Sequence, residues 1–265
     1  MRLGPLPDAR AMTINRKAIV LFLQELRSSV RQLALAIVCW TLLIFLWSDR
    51  LLPVLQAHVG GKLYFFSVAE PFLAHVKLSF FTALFVLMPL LLRALWRALA
   101  LPFGMSTLRR AVFTVATTIL FYSGALFCYQ LTLPYGIQFL LGFGGETLTP
   151  AISINRFANF ISIFVLAFGL LFELPVFMIF CTSTGLVSCA TFMRHRRYAV
   201  LIIAILAAVL TPTPDVVNMA LMGCPLYFLY ELGIVLIRIF RLDRNARAAR
   251  AKQAPTEEGQ VGLKS

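Results

Sequence analysis

The sequence predicts an all-α membrane protein with six transmembrane helices and both termini on the same, positively charged side. Three observations predict it. Of 265 residues, 60% are hydrophobic and 13% are charged, against roughly 45–50% apolar and about 25% charged in soluble domains. The apolar residues collect into six runs separated by polar loops, and the mean hydropathy is +0.86. The basic residues gather in alternate loops.

A spanning helix needs about 20 mostly apolar residues to cross a hydrocarbon core of about 30 Å. The first run is Leu33–Trp47, extendable to Leu52. The second is Phe72–Leu92, with Lys77 near its start, where a lysine can snorkel to the headgroups. The third is Ala111–Leu133. The fourth, Phe157–Thr182, contains Glu173 and Pro175. The fifth is Tyr198–Leu210, and the sixth, Val216–Ile237, contains Pro225 and Glu231. Three regions follow: a basic N-terminal segment with an interfacial helix over 1–32, the transmembrane domain over 33–238, and a basic, disordered tail over 239–265. No internal repeat is present, which disfavours an inverted-repeat transporter.

The loops set the orientation. Twenty of the 24 Lys and Arg residues lie in the N-terminal segment, the second and fourth loops and the tail. The intervening loops hold only Arg50 and Lys62, then Arg156, then none. By the positive-inside rule both termini face the cytoplasm or its organellar equivalent. The fifth and sixth spans are expected to be short. Arg197 and Pro212 bracket about 14 residues, roughly 21 Å of helix. The bilayer thins there, or the Thr211–Asp215 tip sits below the far surface.

Acids inside apolar runs are the functional candidates. Glu173 lies deep in the fourth span, where an ionised carboxylate costs about 2.5–3.5 kcal/mol on insertion scales. Pro175 frees backbone carbonyls one turn back. Glu173 is therefore expected beside a kink, facing protein or water; a neutral Glu bonded to a neighbouring helix is the competing account. Glu231 sits about two turns from the inner surface and competes with simple snorkelling. Asp215 is equally a candidate N-cap for the sixth helix. Glu25 is the last acid before the first span; it reads either as one half of a local charge pair or as an acidic contact for a basic partner.

Other chemistry is excluded or unsupported. There is no Gly-rich phosphate loop, HExxH or GxSxG motif, so an enzyme is disfavoured and no cofactor is expected. The five cysteines show no metal spacing and read as apolar fillers. A net charge of +13 would suggest nucleic acid in a soluble protein, but here the bases flank apolar runs and face lipid headgroups. The first 20 residues are too basic and broken for a signal-peptide core.

Several short motifs, in order, resemble the TatC family, the multi-spanning core of the twin-arginine protein translocase. Phe22-Leu23-Gln24-Glu25-Leu26-Arg27 is similar to its HLxELR signature, and Ala69-Glu70-Pro71-Phe72 to the SPFF element. Tyr129 to Pro134 followed by Phe139-Leu140 resembles the end of its third span. Phe172-Glu173-Leu174-Pro175 resembles FExP, and Arg196-Arg197-Tyr198 the basic start of the fifth span. Leu210-Thr211-Pro212-Thr213-Pro214-Asp215 resembles LTPPD with one inserted residue. Pro225-Leu226-Tyr227 with Tyr230-Glu231-Leu232-Gly233 resembles the last-span pattern.

The resemblance implies a glove-like, non-enzymatic receptor that binds twin-arginine signal peptides of folded precursors and assembles with single-span TatA- or TatB-type partners. It implies transport driven by the proton motive force, and a homo-oligomer within a larger complex in the lipid bilayer. It places signal-peptide contacts at Glu25, Leu26 and Arg27, and partner or translocation contacts at Pro71, Glu173, Pro175, Asp215 and Glu231. Carboxylates suit two guanidiniums because charge-assisted hydrogen bonds are strong. Two positions depart from the pattern: Phe22 replaces His, and Leu108 stands where an acid is expected. This divergence and the 24 phenylalanines point to a mitochondrial inner membrane, with a bacterial plasma membrane as the alternative. The competing functions are a proton-coupled solute transporter using Glu173 and Glu231 as a relay, and a structural anchor of a respiratory complex.

Overall fold

The computed structural model describes residues 30–51, 53, 63–100, 103–142, 151–210 and 216–240. These divide into two compact units, meeting between Leu171 and Phe172. Among the described residues, three helical stretches are long and apolar enough to cross a membrane, Thr107–Phe139, Ile154–Ser183 and Met219–Ile239; a bent pair makes a fourth. Many apolar side chains point outward. Leu46 is 75% and Val209 74% exposed, surface that lipid solvates at no cost.

The first unit begins with α1, Val30–Phe45, stopped by a 3₁₀ turn at Ser48–Arg50. α2 covers Glu70–Val86 and α3 covers Met88–Ala100. The second apolar run is therefore broken, with a bend of 52°. Pro89 explains the break: it has no N–H to give the carbonyl of Phe85, four residues back. The Tyr122 hydroxyl donates to that carbonyl instead, at 3.0 Å. As a result Arg93 and Arg97, expected in a loop, are on a helix.

α4 spans Thr107–Phe127 and runs through a π-helical segment, Cys128–Thr132, into α5, Leu133–Gly142. The widened turn precedes Pro134, and π segments are a usual way to pass such an interruption. α6, Ile154–Leu171, packs on both α2 and α4. Phe121 is fully buried and lies 5.3 Å, centroid to centroid, from Phe85. Gly169 of α6 sits beneath it: a Cβ there would stand 2.5 Å from the Phe121 ring. Trp96 donates to Thr117 Oγ1 at 3.1 Å and stacks on Phe113, tying α3 to α4.

The all-helical expectation needs one small correction. Two-residue strands, β1 (Leu63–Tyr64) and β2 (Ile152–Ser153), pair in parallel. Their Leu63↔Ile152 and Tyr64↔Ser153 register brings two distant loops together.

The second unit contains α7, Leu174–Ser183, α8, Cys189–Arg194, α9, Arg196–Leu210, and α10, Val216–Ile239. α10 packs against each of the other three. The fifth expected span is short, with 15 residues in α9. The sixth is not: α10 has 24 residues, about 36 Å at 1.5 Å per residue. Pro225 lies inside it without ending it; in a spanning helix the freed carbonyl can be satisfied by neighbours.

Candidate functional site

The predicted positions fall into three groups. Glu25, Leu26, Arg27 and Asp215 lie outside the described residues. Pro71 belongs to the first unit; Glu173, Pro175 and Glu231 belong to the second.

Pro71 occupies the first turn of α2, where its missing N–H is harmless. The polar work is done by its neighbour. Glu70 Oε2 accepts from the Phe66 amide at 3.0 Å and from Ser153 Oγ at 3.3 Å. Ser153 Oγ in turn accepts from the Arg156 amide at 3.4 Å, in the first turn of α6. Glu70 thus latches the β1–β2 pair to the starts of two helices. Sequence reading passed over it, because an acid in a loop carries no cost that would flag it.

The fourth apolar run breaks where Glu173 and Pro175 suggested. α7 starts at Leu174 with Pro175 in its first turn, and Glu173 is the N-cap residue. Its side chain makes no cap bond; its main-chain carbonyl accepts from Phe177 at 3.0 Å. Glu173 Oε1 is buried without a hydrogen-bond partner among the described residues. Such an atom is a pending demand, since an unmet buried polar group costs about 1–3 kcal/mol. Beside it α10 comes very close to α7. A Cβ on Gly233 would lie 2.9 Å from Met178 Sδ and 3.3 Å from the Pro175 Cα.

Glu231 is not a lone snorkelling acid. Arg196, the first residue of α9, donates from Nη2 to Glu231 Oε2 at 2.9 Å. Tyr227, one turn earlier on α10, donates its hydroxyl to Oε1 at 3.1 Å. The Tyr227–Glu231 half was legible as an i,i+4 pair. The Arg196 half was not, because 35 residues separate the partners. Nearby, the Tyr230 hydroxyl donates to the Phe192 carbonyl at 2.7 Å, and Arg238 reaches the Met193 sulfur, fastening α10 to α8.

Above this ion pair, α9 and α10 separate into a groove of about 650 Å³. Val200, Ile203 and Ala204 form one wall; Met219, Gly223 and Phe228 are on the other, with Tyr227 and Glu231 also lining it. The groove is an apolar cleft bearing one ionic group. Glu231 faces α9, whereas Gly233, two residues on, faces α7. Two residues turn a helix by about 200°, so Glu231 lies on the side of α10 away from α7, the helix that Glu173 caps. Among the described residues no group of three or more metal-ligating side chains occurs.

Known proteins agree on one family. The family model described as TatC, the Sec-independent protein translocase protein, matches residues 21–225. The chain is 32% identical to the Sec-independent protein translocase protein TatC of Carboxydothermus hydrogenoformans, over 85% of this chain and 95% of that one. It is 31% identical to the TatC of Koribacter versatilis, covering 83% and 82%. A crystal structure of a twin-arginine translocase receptor, TatC, in DDM superposes with a TM-score of 0.73 at 27% identity, covering 81% of this chain and 98% of that one. These relatives are bacterial, so the mitochondrial expectation finds no support among them. With most of its length matched by the family model, by curated relatives and by solved structures, this chain belongs to the TatC family.

Proposed function

We propose that the chain is the core receptor subunit of a twin-arginine protein translocase, binding signal peptides of folded precursors and assembling with single-span partner subunits. The likeness over 81% of the chain to a solved twin-arginine translocase receptor carries this. Six spans, with both termini inside, follow if α1, the bent α2–α3 pair, α4–α5, α6–α7, α9 and α10 each cross once. The relatives named above favour a bacterial plasma membrane. The role is non-enzymatic and driven by the proton motive force.

Within that role, Glu25, Leu26 and Arg27 contact the signal peptide. The α9–α10 groove, apolar with one ion pair, suits a single apolar helix with a polar residue near one end. Glu173 offers a carboxylate oxygen to a partner donor. Pro71, in the first turn of α2, and Asp215, outside the described residues, serve the same partner or translocation role.

The test is a pull-down from native membranes that identifies precursors and partner subunits together. Recovery of both is expected. Failure to recover either, combined with movement of a small solute by the purified chain in liposomes, would overturn the proposal. A relay between Glu173 and Glu231 has the geometry against it, because Glu231 faces α9, away from the α7 helix that Glu173 caps, and is held by Arg196. A pure anchor predicts unchanged export after Glu173→Ala.

A further inference from the structure

The approach to α2 is not a polar loop. Leu63-Tyr64-Phe65-Phe66-Ser67-Val68-Ala69 carries no charge, and its side chains stand outward. Phe66 is 68% and Val68 95% exposed, and Tyr64 and Phe65 are exposed with them. No helix accounts for this, because the residues between β1 and α2 lie in neither element.

The backbone beneath these side chains is held. Tyr64 stands in register with Ser153 in the β1–β2 pair. The Phe66 amide donates to Glu70 Oε2, and the Glu70 amide donates to the Ser67 carbonyl, each at 3.0 Å. The rings are therefore presented on a fixed segment, and their exposure is built into the fold. In water, three aromatic rings and a valine would forfeit their favourable transfer to an apolar phase. A contiguous apolar patch of this kind marks a contact with a protein or a membrane.

What adjoins the patch favours lipid. Leu46 and Trp47, just past the end of α1, and Phe72 and Leu73, in the first turn of α2, are exposed too. The Phe45 and Phe72 rings meet edge to face at 5.9 Å, and the 3₁₀ turn after α1 packs on α2. The apolar surface that lipid covers on these helices thus continues into the loop. It is bordered by groups suited to headgroup depth. The Arg50 guanidinium lies over the Trp47 ring, 5.5 Å from its centroid, and Tyr64 joins an apolar ring to a hydroxyl.

We propose that segment 64–68 is an interfacial membrane anchor. Tyr64, Phe65, Phe66 and Val68 enter the boundary between headgroups and acyl chains in the leaflet at this end of the spans, with Arg50 among the phosphates. The inference rests on the multi-spanning fold. It asks nothing of the partner contacts assigned to neighbouring Pro71, because a single chain makes it with lipid alone.

The test uses the full-length chain with its exposed thiols removed by Cys39→Ala and Cys224→Ala. A single nitroxide is placed at Phe66→Cys or Val68→Cys, with Leu43→Cys as the lipid control and Asp49→Cys as the water control. The chain is reconstituted, one copy per disc, in nanodiscs of phosphatidylglycerol and phosphatidylcholine. Collision rates with oxygen and with a water-soluble nickel chelate then report depth. The labels at 66 and 68 are expected to favour oxygen, as at 43, whereas the label at 49 favours nickel. Labels at 66 and 68 that favour nickel would put the loop in water and overturn the proposal, even if adding a precursor or partner subunit later shielded them. Protection from both reagents would mean cover by protein and would also overturn it. Phe65→Ser with Phe66→Ser should raise nickel collisions at position 68 severalfold, because the rings hold the segment down; no rise would overturn the anchor. If that double variant is not monodisperse, Phe66→Ser alone serves for the same comparison.

Discussion

On one face of α10, Gly233 brings the backbone against Met178 and Pro175 of α7, where even a methyl group would be tight. On the other face, a Cβ on Gly223 would meet only Ile203 Cγ2, at 3.8 Å, and a groove of about 650 Å³ opens toward α9. The two acids follow the same division. Glu231, on the open side, is satisfied by a guanidinium and a phenol. Glu173, on the α7 element that meets the closed side, keeps one buried oxygen without a partner. One helix therefore carries a packing face, beside which a polar demand is left unmet, and an open face, where the polar group is met and the apolar surface is not. The proposed docking of a partner helix in the groove would use the second face and leave the first intact.

Prying at the closed face should have the largest effect. Gly233→Leu is expected to destabilise the protein by about 1–3 kcal/mol through overpacking, read as a lower thermal midpoint in detergent. Gly223→Leu should leave that midpoint nearly unchanged and instead block helix docking, measured by co-purified partner. Equal midpoints for the two variants would erase the distinction between the faces.

Next is the unmet oxygen. Glu173→Ala should reduce export about tenfold while stability holds, in line with losing one hydrogen bond to a charged group; transport assays with inverted vesicles check this. A matching loss of stability would instead make Glu173 a packing residue.

The ion pair should matter less. Arg196 and Glu231 are 45% and 26% exposed at their side chains, so water and headgroups screen them. A double-mutant cycle of Arg196→Gln and Glu231→Gln should give a coupling of about 1 kcal/mol or less. A much larger coupling would show the pair to be sealed from solvent.

The smallest effects test the same contrast at single atoms. Gly223→Ala should stabilise α10 by about 0.5–1 kcal/mol, because the helix loses a glycine and gains no clash. Tyr227→Phe should cost about 0.5–1.5 kcal/mol by removing one hydrogen bond to Glu231. Both are readable as shifts in the thermal midpoint.

Much of this architecture was legible along the chain. The break at Glu173 and Pro175 was anticipated because proline acts locally on the helix that contains it. The bend at Leu87 was missed although Pro89 was in plain view, because the surrounding run stays apolar on both sides and hydropathy does not register a change of direction. The sixth span was expected to be short because only about 14 residues separate Arg197 from Pro212 in the fifth, and that spacing says nothing of the helix that follows, which has 24 residues. Of the candidate site, Glu173 and Glu231 were flagged by their cost in an apolar run. Arg196, Glu70 and the groove carried no such flag.

Composition, hydropathy and base placement determined by themselves that this is a multi-spanning membrane protein, and ordered motifs pointed to its family. These properties sum over neighbouring residues, so they survive without knowledge of the fold. Only the tertiary structure decided that Arg196 answers Glu231, that Tyr122 answers the carbonyl freed by Pro89, and that Trp96 answers Thr117. Each of these joins separate helices, and depends on their relative rotation and depth. Side-chain packing sets both, and a single turn of slip would undo every one of them.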